Sequence, residues 1–164
     1  LDLLGAGLRS KTVLFVAAKV YVTQMFSDSQ ATFARDQNAL ASLEKNAKSV
    51  AMKMTMMRTV AASSLADSFR EALEHNGFEI EGELEKVLQL METSADAVQG
   101  KSLTMLMVRT ASGGTNIYYE DANGAQKSLA GSAELMPKIL SIWLGQPADK
   151  GLEALKKALL VPVY

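Results

Sequence analysis

The sequence contains no cysteine among its 164 residues, which excludes thiol catalysis, disulfides and thiolate metal sites. Its one histidine, His75, would leave a zinc site to be built mostly from carboxylates, a set that zinc seldom uses. No apolar run reaches the roughly 18–20 residues of a membrane span, so no stable membrane insertion is expected. Charge of either sign is not in excess: 17 basic and 18 acidic residues are interspersed and the formal net charge is −1. Without a basic stripe, nucleic acid is not expected as a partner. Glycine clusters only at Gly5-Ala6-Gly7 and Gly113-Gly114. Neither is followed by Lys-Ser/Thr or opens a helix, so both read as turns rather than phosphate loops. A GxSxG nucleophile motif is missing, and no cofactor is expected.

What is present is an ordinary globular composition. Hydrophobic residues make up 48% and charged residues 21%, enough for one domain over residues 1–164 with a buried core. The chain begins at Leu1 rather than at a methionine. A removed secretory leader and a trimmed terminus both remain open.

Patterning predicts a buried strand, or two in succession, over Lys11–Phe26, and one or two short helices over Gln30–Lys48. Ser49–Val60 alternates, with Val50, Met52, Met54 and Met56 on one face and Lys53 and Thr55 on the other. Ser64 reads as the N-cap of a helix that ends at Asn76-Gly77, and a second helix spans Glu81–Ala95. Strands are expected over Ser102–Arg109, Thr115–Glu120 and Gln126–Ala130, the last two joined by a hairpin turn at Asp121–Gly124. Helices over Ser132–Leu144 and Leu152–Leu160 complete the chain. Because strands and helices are grouped and the late strands are tightly connected, the pattern favours an α+β fold. Its antiparallel sheet would carry helices on one face.

Few residues point to chemistry. His75 ends a helix, where a cation suits the dipole. The acidic run Glu79, Glu81, Glu83 and Glu85 fits a helix start in the same way. Of nine methionines, Met52, Met54, Met56, Met105 and Met107 lie on strands, where they read as core or as an adaptable apolar wall for a ligand. Arg9, Lys19 and Tyr21 share parity, so one unbroken strand would put them on one face. An arginine aimed into an apolar interior needs an anionic partner because its charge cannot be shed. A ligand carboxylate or enolate would serve, with the Tyr21 hydroxyl as a second donor. Twelve residues of straight strand would, however, hold Arg9 and Tyr21 about 40 Å apart. They can share a head group only if the chain turns near Val13–Ala17, where no Gly, Pro or Asn marks a turn.

Gly5-Ala6-Gly7-Leu8-Arg9, followed by Lys19-Val20-Tyr21-Val22, resembles the N-terminal signature of the chalcone isomerase-like family, most closely its bacterial branch. Arg58-Thr59-Val60 ahead of the Ser64 helix, Gly113-Gly114-Thr115 and Ile142-Trp143-Leu144-Gly145 extend the resemblance in order along nearly the whole chain. It implies an open-faced β-sandwich, a curved antiparallel sheet with helices over one face and a ligand cleft between them. It also implies a periplasmic or secreted location. Arg9 matches the arginine that binds the phenolate substrate of true chalcone isomerases. A threonine of those enzymes falls at Tyr21, their catalytic tyrosine at Leu65, an asparagine at Ala72 and an active-site lysine near Met56. Leu, Ala and Met cannot donate the hydrogen bonds of that reaction, so catalytic residues are not expected here. The non-catalytic fatty-acid-binding relatives, with an Arg and a Tyr near these positions, are the better match.

The leading expectation is therefore a pocket for a fatty acid or similar amphiphilic or aromatic ligand. Arg9 and Tyr21 would hold its head, and Met54, Met56, Leu65, Phe69 and Ala72 would line the rest. Two alternatives stand beside it. One is an isomerase or lyase acting on a chalcone-like or other enone, with Arg9 as electrostatic stabiliser and Tyr21 as general acid. The other is a structural or partner-binding module whose cleft has collapsed. The sequence does not specify an oligomeric state.

Overall fold

The chain first reverses where the sequence offers no turn residue. In the computed structural model, which describes residues 1–163, strand β1 (Asp2–Val13) pairs antiparallel with β2 (Val16–Ser27) through the two-residue turn Leu14-Phe15. Both turn residues have positive φ, 49° and 68°, as the tightest hairpin turn requires. For residues other than glycine this conformation costs about 1–2 kcal/mol each. The strand expected over Lys11–Phe26 is thus a hairpin that starts at Asp2, and Arg9 lies inside β1 rather than ahead of a strand. Gly5 and Gly7 are likewise extended strand, not turn. Their lack of a side chain lets helix α5 (Lys150–Leu159) lie directly on β1. A Cβ at Gly5 would overlap the carbonyl oxygen of Leu159, and one at Gly7 would stand 2.7 Å from the Leu155 side chain.

Strands β3 (Ser49–Met56), β4 (Ser102–Arg109), β5 (Thr115–Glu120) and β6 (Gln126–Gly131) follow in sequence order, giving a six-stranded antiparallel sheet. The expected turn at Asp121–Gly124 is present. Gly124 takes φ 80° and the Asp121 carboxylate accepts the N–H groups of Asn123 and Ala125. Strand β3 ends earlier than the alternation suggested. Beyond Met56 the chain turns away, and Val60 forms an isolated bridge with Ala97.

One face of the sheet carries the core. Val50, Met52, Met54 and Met56 are buried there beside Met105 and Met107, with Met52 paired to Met105. Lys53 and Tyr118 on the other face are exposed. Helices α1 (Ala39–Asn46), α2 (Ala62–His75), α3 (Gly82–Glu92), α4 (Leu135–Leu144) and α5 bury their apolar stripes in the same cluster. Helix α2 starts at Ala62, not after a Ser64 cap. The Asp96 carboxylate, 34 residues along the chain, accepts the Ala62 N–H at 2.8 Å and substitutes for a local capping side chain. Helix α5 begins two residues before the expected Leu152 because Asp149 caps it, accepting the Leu152 N–H at 2.9 Å.

Candidate ligand-binding cleft

The Leu14-Phe15 reversal removes the separation that a straight strand would impose, and Arg9 and Tyr21 become direct cross-strand partners. A register shift follows at once: Ser10 pairs with Lys19, leaving Val20 as an extra residue in β2. Such a bulge twists the strand and re-aims its side chains. Between this hairpin and the first turns of α2 lies a cleft of about 310 Å³. Arg9, Lys11 and Val13 of β1 and Ala18, Val20 and Tyr21 of β2 form one wall. Arg58, Thr59, Val60 and Ala61 lead into the opposite wall, which Ser64, Leu65 and Ser68 of α2 complete. Three cations line this cleft and no carboxylate does.

Arg9 is the buried one, with 7% of its side chain exposed. Its anionic partner is supplied by the protein. Nη1 and Nη2 donate to the two carboxylate oxygens of Asp149 at 2.6 and 2.8 Å, and Nη1 also donates to the Ser10 carbonyl at 2.7 Å. A guanidinium has five N–H donors. The Nε–H and the second Nη2–H, which together form its other bidentate edge, have no acceptor among the described residues. Partial burial works to raise the Asp149 pKa. The Arg9 hydrogen bond, the Leu152 N–H and the charges of Arg9 and Lys11 outweigh it and hold the carboxyl below its ordinary value.

Tyr21 is 3% exposed, and its oxygen accepts the indole N–H of Trp143 at 3.0 Å. Trp143 is fixed in turn by an edge-on contact with Phe69, their centroids 5.3 Å apart. The Tyr21 proton has no acceptor among the described residues, and the hydroxyl is buried together with the Trp143 indole. Burial pushes the phenol pKa up, against the opposing effects of the Trp143 hydrogen bond and the Arg9 charge. At neutral pH Tyr21 is therefore a hydrogen-bond donor and not a phenolate base. Arg58, exposed at the mouth, makes no hydrogen bond or ion pair among the described residues. Lys11 reaches only Glu71, at 3.8 Å.

Of the seven residues expected at the site, Arg9, Tyr21 and Leu65 line the cleft. Met54, Met56, Phe69 and Ala72 do not. They are packed in the hydrophobic core with at most 2% exposure. Met56 lies opposite Tyr21 on the neighbouring strand and Phe69 packs against Trp143, so the methionine wall is core. Asp149, Lys11 and Arg58 were not anticipated. An aspartate before an amphipathic helix is a capping signal, but nothing local announces a partner 140 residues away. His75 stands exposed at the end of α2, and no group of three or more His, Asp or Glu residues among those described could hold a metal ion.

One polar group behind the cleft is unsatisfied. Thr23, fully buried two residues beyond Tyr21, has no partner for its hydroxyl among the described residues. Thr23→Val keeps the shape and removes the orphan, and should raise stability by about 1 kcal/mol. Chemical denaturation measures this, and a loss of stability would show that the hydroxyl is bonded in solution.

Comparison with known proteins agrees with this architecture. A match to the chalcone isomerase-like family covers residues 1–161. Among solved structures, a fatty-acid binding protein of Arabidopsis thaliana superposes with a TM-score of 0.68 at 18% sequence identity, covering 96% of this chain and 86% of that one. At that identity the likeness establishes the shared fold. None of the curated proteins matches the sequence significantly.

Proposed function

Because the chain belongs to the chalcone isomerase-like family, we propose that it binds a fatty acid or similar amphiphilic anion in the cleft beside Arg9, without catalysing a reaction. The observation that carries this reading is the lining of that cleft. Three cations stand beside an apolar wall of Val13, Ala18, Val20, Val60 and Leu65, and the lining residues include no carboxylate. The carboxylate head would take the Nε/Nη2 edge of Arg9 and the Tyr21 hydroxyl, with Lys11 and Arg58 adding attraction from the mouth. Asp149 then acts as a positioning residue that holds the guanidinium flat and leaves one edge free.

A volume of about 310 Å³ is at the small end of ligand sites. It suits a medium-length chain, and longer chains would require the unbranched methionines of the core to repack. Leu65, where the resemblance places a catalytic tyrosine, presents only methyl groups to the cleft. This favours binding over enone chemistry.

Native mass spectrometry of the purified protein should show copurified lipid or a complex with added dodecanoate, and dodecanoate should raise the melting temperature. Tyr21→Phe should weaken dodecanoate about tenfold, equivalent to one hydrogen bond of roughly 1.4 kcal/mol. Turnover of a chalcone that Arg9→Ala abolishes would replace this reading with the isomerase one.

A further inference from the structure

The tip of the β1–β2 hairpin breaks two rules at once. Leu14 is 88% exposed and Phe15 101%, between Val13 at 51% and Val16 at 68%. Both turn residues also hold the left-handed backbone that Asn or Gly adopts without strain. Neither burial nor turn geometry accounts for these side chains, and such local conflicts mark places where function sets the sequence.

Position adds to this. Pairing between β2 and β3 begins at Tyr21 and Met56, with one further bond from the Met57 N–H to the Val20 carbonyl. The hairpin beyond Val20 is therefore a two-stranded finger, reaching about 14 Å past the sheet over Val16–Lys19. Its inner side, Val13 and Ala18, is part of the cleft. Charge completes the pattern. Lys11 and Lys19 are exposed on the finger, Arg58 is exposed at the mouth, and no Asp or Glu occurs between Leu3 and Ser27. Two carboxylates from other elements face the hairpin: Glu71 of α2, 3.8 Å from Lys11, and Asp149, which is bound to Arg9.

We infer that the finger is a membrane-docking element: Leu14 and Phe15 enter the interface of an anionic bilayer, and Lys11, Lys19 and Arg58 meet its head groups. An apolar tip behind a cationic collar is the combination that holds a protein at a lipid surface without spanning it, and no helix among the described residues is long and apolar enough to span. Docked in this way, the cleft mouth faces the layer that contains amphiphilic anions. The inference extends the binding reading but is tested separately from it.

The test is sedimentation of the full chain with vesicles of phosphatidylcholine alone or enriched in phosphatidylglycerol, with no free fatty acid added. The wild type should bind the anionic vesicles and release as salt rises. The double variant L14N/F15G, which suits the turn better, should melt at a higher temperature, keep its dodecanoate response in solution, and bind vesicles about tenfold or more weakly. Equal vesicle binding by the two proteins, or none by the wild type, overturns the inference. So does a wild-type dimer that L14N/F15G converts to monomer, which assigns the tip to a second copy. Failure of dodecanoate binding with vesicle binding intact would instead remove the ligand reading and leave the docking element.

Discussion

Gly151→Ala should destabilise the protein by about 3 kcal/mol, although helix propensity alone predicts a gain of roughly 1 kcal/mol. Gly151 is in the first turn of α5, where that helix crosses β1. An added Cβ would overlap the Ser10 carbonyl oxygen and stand 2.7 Å from Nη1 of Arg9. Both obstacles are held in place, one by the strand backbone and the other by its ion pair, so no side-chain rotation relieves the overlap. The start of α5 must move outward, taking Asp149 with it. Thermal denaturation should show a midpoint lower by about 6–12 °C for a chain of this size. An unchanged or higher midpoint would mean that α5 is not seated on β1 at this point.

The second large effect has two parts of opposite sign. Asp149→Asn keeps a competent helix cap but withdraws the negative charge from a guanidinium that is 7% exposed. Leaving one member of a buried ion pair alone costs about 3–5 kcal/mol. Because Asp149 itself is 35% exposed, the lower end of that range is expected, about 3 kcal/mol. The same change releases the second edge of Arg9 and leaves its charge uncompensated, so dodecanoate should bind more tightly and recover part of the lost stability.

The pH dependence follows from the lowered Asp149 pKa. A depressed carboxyl contributes stability above its ordinary value near 4, and that stability is lost as pH falls through the lower folded value. Acid denaturation of Asp149→Asn should accordingly be less steep below about pH 4. If Asp149→Asn loses stability without gaining affinity for the carboxylate, Arg9 is a structural ion pair and not part of a ligand site.

The sequence made much of the sheet legible because its signals there are local. Alternation in Ser49–Met56 and the Asp121–Gly124 turn each depend on neighbours within a few residues. The β1–β2 reversal was hidden for the opposite reason: Leu14 and Phe15 are residues that a turn disfavours. The glycines of β1 misled because their purpose is to admit α5, more than 140 positions downstream. At the cleft, parity put Arg9 and Tyr21 on one face but about 40 Å apart on a straight strand. The family resemblance, not the spacing, brought them to one head group, and the hairpin makes them cross-strand partners. The Asp149 carboxylate and the Trp143 indole reach them across 140 and 122 residues, a span no spacing rule covers. The methionines were identified as one inward wall. Whether that wall faced a ligand or the core depended on long-range packing, which alternation along one strand does not encode.

The central claim is that the cleft recognises an anionic head on an apolar chain. Calorimetric titration of the wild-type protein with dodecanoate and, separately, dodecanol tests it most directly, because the two ligands share a tail and differ in the group that Arg9 and Tyr21 would meet. The carboxylate should bind at least about tenfold more tightly, a difference of roughly 1.4 kcal/mol or more, and the preference should shrink in high salt. Equal affinity for the two ligands, or binding of neither, would contradict it.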